Sequence, residues 1–168
     1  MNLIVKNQHT ALWKGRDMRC AVGRGGIVPA SAKREGDGAT PAGIWRMREV
    51  IYRADRVTLP RLVLPSRAME SDDGWCEAPE DVNYNRHVKR PYAASADHMW
   101  RGDSLYDVVA VLGYNDDPPV AGKGSAIFLH LARPDFSPSA GCVTLALDDL
   151  LAVLGEADIG TCVEIIAP

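Results

Sequence analysis

The segment Ala126-Ile127-Phe128-Leu129-His130-Leu131-Ala132 is apolar and rich in β-branched and aromatic residues, which predicts a buried β-strand. Successive side chains of a strand point to opposite faces of its sheet. This alternation places Ile127, Leu129 and Leu131 on one face of the sheet. Phe128 and His130 lie on the other face. We therefore expect a histidine near the C-terminal end of a largely buried strand.

A cysteine follows this strand after a short irregular connection. Residues 133–138 contain two prolines, which interrupt any sheet, and lead to Ser139-Ala140-Gly141-Cys142-Val143. A cysteine directly behind a glycine can sit on a tight turn, with its sulfur presented outward and backbone N–H groups converging on a reacting oxygen. A histidine on an adjacent strand can hold that sulfur as the thiolate that attacks carbonyls.

These two segments together predict a cysteine nucleophile for acyl transfer. Cys142 is the predicted nucleophile and His130 the predicted base, and the N–H groups of Gly141 and Cys142 are the predicted oxyanion donors. Taken singly, His130 would be a satisfied core histidine and Cys142 a small buried hydrophobe. The glycine turn that joins them favours the functional interpretation.

The rest of the chain predicts a mainly β fold with one or two helices. Further strands are predicted at residues 3–6, 11–14, 19–22, 44–52, 61–64, 106–112 and 162–166. One helix is predicted where four leucines recur at helical spacing, at positions 147, 150, 151 and 154, with Asp148 and Asp149 in its first turn and Gly155 to close it. A second short helix within residues 85–100 is an alternative to loop structure there.

The cysteine segment resembles the active-site motif of the L,D-transpeptidase family (the YkuD-type catalytic domain), in which a histidine precedes Ser/Thr-X-Gly-Cys and an aliphatic residue. Thr40-Pro41-Ala42-Gly43-Ile44-Trp45 is similar to a second family feature, a Thr-Pro-X-Gly-aromatic turn, with the aromatic displaced by one position. The resemblance runs from about Gly36 to the C-terminus. It implies a single catalytic domain over residues 1–168, built as a β-sandwich or barrel-like sheet with the cysteine loop at one end.

Two positions depart from the family pattern. Ala140 stands where many members have a second histidine, and Thr144 stands where many have an arginine that helps to hold the donor substrate or the site. The nucleophile is retained. We expect either another basic residue to replace the arginine or the substrate to differ.

The resemblance implies a reaction on peptidoglycan stem tetrapeptides, at the bond between the L-centre of diaminopimelate and the terminal D-alanine. It implies no cofactor and no metal. An amine acceptor would give transpeptidation, and water would give carboxypeptidase action. The sequence begins without a leader-like segment, so a cytoplasmic L,D-carboxypeptidase of muropeptide recycling is favoured. An exported L,D-transpeptidase whose leader is missing, or a non-catalytic muropeptide- or wall-binding module, remains an alternative.

Candidate substrate contacts lie in the cysteine segment and in polar segments that contain aromatic residues. The predicted substrate-binding residues are Ser139, Arg86 and Arg101. The two arginines are chosen because a guanidinium suits bidentate recognition of carboxylates. Asp73 and Glu77 are further candidates for the ammonium group of the substrate. For each arginine alone, a solvated surface charge is the alternative.

Composition excludes several classes of partner. The net charge is −3 and no Lys/Arg run exceeds two residues, so we expect no nucleic-acid partner. No window approaches the length of a membrane span, and the four cysteines form no C-x-x-C pair, which argues against zinc or dithiol redox chemistry. Gly23-Arg24-Gly25-Gly26 lacks the lysine and spacing of a phosphate loop, so we interpret it as a flexible connection.

Overall fold

The computed structural model describes residues 1–167; Pro168, the last residue of the predicted domain, lies outside them. The described residues form thirteen strands and one helix. They are β1 (Asn2–Val5), β2 (Thr10–Trp13), β3 (Arg16–Ala21), β4 (Ile27–Pro29), β5 (Thr40–Tyr52), β6 (Ser66–Ala68), β7 (Asp73–Cys76), β8 (His87–Lys89), β9 (Ala96–His98), β10 (Val108–Leu112), β11 (Phe128–Leu131), β12 (Val143–Leu145), α1 (Leu147–Glu156) and β13 (Cys162–Ile165).

One long strand closes the main sheet on itself. The strands run in the order β10-β11-β12-β3-β2-β1-β13-β5-β4, with β6 added beside β5. The first half of β5 pairs with β13, from Gly43 to Arg46, and its second half pairs with β10, from Met47 to Tyr52. Because β5 pairs with β13 and also with β10, the first strand of this order, the sheet forms a barrel-like circuit. The prediction of a mainly β, sandwich- or barrel-like fold is confirmed.

The two faces of the wall formed by β10 and β11 carry different clusters. Val108 and Leu129 belong to the main core, which fills the inside of the circuit and includes Leu150, Val153 and Leu154 of α1. Phe128 and Val109 belong to a second cluster on the other face. The predicted alternation along residues 127–131 is therefore confirmed.

A small antiparallel sheet covers the second face. Strands β8, β7 and β9 pair in that order, and Trp75 of β7 packs edge-on against Phe128 with ring centroids 5.0 Å apart. Met69 and Met99, which flank this small sheet in the chain, are buried in the same cluster. The small sheet therefore forms a lid over the face of β11 on which His130 was predicted.

Several expectations from sequence were wrong. Residues 61–64 form no strand, and residues 85–100 contain β8 and β9 rather than a helix. Helix α1 continues through Gly155 to Glu156, and Leu147 is 39% exposed although its spacing predicted a buried residue. Nothing in the described helix is long and apolar enough to cross a membrane.

Candidate active site

The turn that carries Cys142 is built from closely packed backbone. Gly141 has φ of +139°, and a Cβ there would lie 3.0 Å from the carbonyl oxygen of Ala39. A Cβ on Gly23 would lie 2.8 Å from the Cα of Gly141 and 2.1 Å from the carbonyl oxygen of Gly38. Only glycine leaves room for this contact between three chain segments. The Gly23–Gly26 segment, interpreted above as a flexible connection, is instead the support against which the cysteine turn packs.

Two buried hydroxyl groups hold the turn in place. The hydroxyl of Thr40 donates to the carbonyl oxygen of Gly141 at 2.7 Å and accepts the N–H of Gly23 at 2.8 Å. The hydroxyl of Ser139 donates to the carbonyl oxygen of Cys142 at 2.6 Å and accepts the N–H of Gly141 at 3.1 Å. The predicted oxyanion donor at Gly141 is therefore already engaged. The N–H of Cys142 has no acceptor among residues 1–167.

Parallel pairing of β11 with β12 brings the predicted nucleophile and base to one face. Leu129 pairs with Val143 and His130 with Thr144, so Cys142 lies beside Phe128. Residues opposite each other in a sheet point to the same face. Cys142 and His130 therefore lie on the same face, beneath the small sheet and two residues apart in register, and no hydrogen bond joins their side chains within residues 1–167.

The thiol of Cys142 rests on the backbone at the start of β11. Its Sγ donates to the carbonyl oxygen of Ala126 at 3.2 Å and accepts the N–H of Phe128 at 3.4 Å. Burial raises the pKa of the Cys142 thiol to about 12. The resting sulfur is therefore a protonated thiol, whereas the sequence interpretation expected a thiolate; loss of hydration around the buried sulfur accounts for the difference.

The tautomer of His130 follows from its hydrogen bonds. Its Nδ1 lies 3.1 Å from the carbonyl oxygen of Leu105 and 2.9 Å from that of Leu131. Carbonyl oxygens only accept, so Nδ1 carries the proton and Nε2 keeps the lone pair of a base. Burial lowers the pKa of His130 to about 4, so the imidazole is neutral near pH 7.

Tyr106 is a part of the site that the sequence interpretation missed. Its ring packs edge-on against His130, with centroids 5.0 Å apart, and against Phe128 at 6.0 Å. Its hydroxyl donates to Asp97 at 2.8 Å. Burial, with the nearby charge of Asp97, raises the pKa of Tyr106 well above its ordinary value. Nothing in the sequence around position 106 distinguishes this tyrosine from a strand residue.

A cavity of about 180 Å³ opens beside the thiol. Its lining combines two basic, three acidic and several small residues with Tyr106 and the nucleophile: Arg24, Lys33, Glu35, Gly36, Gly38, Glu77, Asp97, Tyr106, Ser125, Ala126, Ala140 and Cys142. Cys142 is only 6% exposed, yet it belongs to this lining. The buried thiol therefore borders this cavity.

The predicted substrate-binding residues are not brought together. Ser139 is buried behind the turn, as described above. Arg101 forms a bidentate ion pair with Asp103, at 2.8 and 2.6 Å, and its guanidinium lies 5.2 Å from the ring centroid of Tyr106, one layer behind the cavity. Arg86 is exposed and outside the cavity lining. Their roles in substrate binding stay predictions.

Of the two acidic residues predicted to bind the ammonium group of the substrate, only one lines the cavity. Glu77 lines the cavity, whereas Asp73 is fully buried and is held by Arg67, His87 and Lys89. The buried hydroxyl of Thr144 lies 3.4 Å from the carbonyl oxygen of Ala21, a weak contact. Thr144 thus carries no charge into the position where many family members have an arginine.

A comparison with protein-family models identifies the family of the chain. Among residues 1–167, no group of three or more His, Cys, Asp or Glu side chains is arranged to hold a metal ion. No curated protein and no solved structure matches the chain. The sequence model of the YkuD L,D-transpeptidase catalytic domain matches residues 2–165, nearly the whole chain. The chain therefore belongs to the L,D-transpeptidase catalytic-domain family, whose members act on peptidoglycan peptides.

Proposed function

We propose that the protein is a cysteine L,D-carboxypeptidase that removes the terminal D-alanine from peptidoglycan stem tetrapeptides. The observation that supports this most is the placement of Cys142 and His130 on one sheet face, with Nε2 of the imidazole unprotonated. The bond cleaved joins the L-centre of diaminopimelate to D-alanine.

Cys142 and His130 are both neutral at rest, so the thiol proton must be transferred to the imidazole as the sulfur attacks the substrate. The thiol leaves the carbonyl oxygen of Ala126, gives its proton to Nε2 of His130, and the sulfur bonds to the carbonyl carbon of the substrate. The N–H of Cys142 is the donor available for the oxyanion. The imidazolium then protonates the amine of D-alanine as the C–N bond breaks, which leaves a thioester on Cys142.

Water is the acceptor in this proposal, because it needs no second peptide-binding site beside the cavity. His130 takes a proton from that water as it attacks the thioester, and the thiol is regenerated. The products are D-alanine and a stem tripeptide.

Transpeptidation is the second candidate, because the cavity also carries negative charge. Glu77 and Asp97 line it, and among residues 1–167 neither has a basic side chain within 4.0 Å. Such carboxylates attract the ammonium group of an acceptor stem. Attack by that amine on the thioester would give a cross-link instead of a free acid.

Incubation with disaccharide-tetrapeptide, followed by mass spectrometry of the products, separates these functions. We expect equal amounts of D-alanine and disaccharide-tripeptide. A cross-linked dimer in the presence of a second stem peptide would favour the transpeptidase, and binding without either product would favour a non-catalytic module. The cytoplasmic location suited to recycled muropeptides is part of the proposal, and fractionation of cells tests it.

A further inference from the structure

Arg24 is fixed directly beside the nucleophile turn. Its backbone N–H donates to the carbonyl oxygen of Ser139 at 2.9 Å, and Gly23 forms a β-bridge with Ser139. Arg24 lines the cavity together with Cys142 and Ala140. The position of its backbone is therefore tied to the turn that carries the sulfur.

The side chain of Arg24 packs against Gly38 in the cavity wall. A Cβ on Gly38 would lie 3.0 Å from Cγ, 3.1 Å from Nε and 3.2 Å from Cζ of Arg24. The arginine thus lies against the bare backbone of Gly38, which has φ of +67°. Arg24 is an exposed residue, and this contact lays its side chain along the cavity wall.

The charge of Arg24 is unmatched. The other basic residue of the lining, Lys33, is 3% exposed and forms an ion pair with Asp37 at 2.6 Å. Within residues 1–167, Arg24 has no carboxylate within 4.0 Å. Glu77 and Asp97 face the same cavity from the small sheet, and they repel an entering carboxylate. Arg24 is therefore the place in the cavity where a carboxylate is attracted.

We propose that Arg24 binds the free carboxylate of the C-terminal residue that the reaction releases. This inference rests on the proposed function. In such a substrate only the leaving nitrogen and one carbon separate the scissile carbonyl from that carboxylate, so the carboxylate must lie close to the sulfur. Guanidinium binds carboxylate in a two-pronged geometry. Arg24 thereby restricts the enzyme to chains that end one residue beyond the bond it cleaves.

The test compares two tetrapeptides that differ only at their ends, one with terminal D-alanine and one with D-alaninamide, by the tripeptide that both yield. We expect the wild-type kcat/KM to favour the free acid by about 10- to 100-fold, the range for a hydrogen-bonded charge. In Arg24→Gln, kcat/KM for the free acid should fall by that factor, and kcat/KM for the amide should stay within about twofold of the wild-type value. Arg24→Lys should keep part of the preference, because lysine retains the charge but not the fork.

Arg61→Gln is the matched control, since Arg61 is an exposed arginine outside the cavity lining. A wild-type enzyme without preference for the free acid would overturn the role of Arg24. An equal loss on both substrates in Arg24→Gln would do so too, because it would mark a merely structural effect. Wild-type protein that forms no tripeptide from either substrate would instead refute the proposed function itself.

Discussion

The hydroxyl of Thr40 connects two distant parts of the sequence, because it donates a hydrogen bond of 2.7 Å to the carbonyl oxygen of Gly141. The hydroxyl oxygen of Thr40 also accepts the N–H of Gly23 at 2.8 Å, and Thr40 is fully buried. The residue that opens the Thr-Pro-X-Gly turn is thus a direct support of the nucleophile turn. The two motifs that carried the family resemblance form one structural unit.

Replacement of Thr40 by valine tests this support. Thr40→Val leaves the buried N–H of Gly23 and the carbonyl of Gly141 without their partner, at about 1–3 kcal/mol each. We expect the free energy of unfolding in urea to fall by about 2–4 kcal/mol. Thr40→Ser keeps the hydroxyl and loses one methyl, so it should lose only about 1 kcal/mol. Equal losses in the two variants would show that packing, rather than the hydroxyl, is what matters.

Ser139 offers a test between support of the turn and contact with substrate. Its hydroxyl donates a hydrogen bond to the carbonyl oxygen of Cys142 and accepts one from the N–H of Gly141. If it positions the turn, Ser139→Ala should lower kcat, roughly 10-fold for the loss of one buried hydrogen bond, and leave KM nearly unchanged. The steady-state constants for D-alanine release measure this. A raised KM with unchanged kcat would support the substrate contact predicted from sequence.

The pH profile should report the buried imidazole. The pKa of His130 is lowered to about 4, and only the neutral ring can accept the thiol proton. The kcat/KM for D-alanine release should therefore fall tenfold per unit below about pH 4 and be level from about pH 5 to pH 9. The Cys142 thiol, with its pKa raised to about 12, adds no limb in that range. An acid limb near pH 6.5 would instead indicate a hydrated histidine.

The two arginines predicted to bind substrate should differ from Arg24 in their effects. Arg86 is exposed and outside the cavity lining, so Arg86→Gln should change kcat/KM by less than about twofold. Arg101 lies behind Tyr106, so Arg101→Gln should act on kcat by loosening that ring rather than on KM. Kinetics on the tetrapeptide measure both. A tenfold rise of KM in either variant would restore it as a substrate contact.

Local patterns predicted the nucleophile, its base and the β-rich fold, because these depend on alternation along β11 and on a glycine turn. The same patterns could not place Arg24, Asp97 or Tyr106 in the site. These residues line the cavity beside Cys142 because of strand pairing and of the lid formed by β7 to β9, which bring together segments far apart in the chain. The pKa of the thiol was missed for a similar reason, since burial is a property of the assembled cluster and not of the motif.

Mass spectrometry of the enzyme quenched during turnover of tetrapeptide tests the central assignment most directly. The thioester mechanism predicts a protein heavier by the acyl part of the substrate, with the added mass on the peptide that contains Cys142. It predicts no such species, and no release of D-alanine, in Cys142→Ala. Cys20 and Cys76 are buried and Cys162 partly so, and all three serve as internal controls. An adduct on one of them, or full turnover by Cys142→Ala, would contradict it.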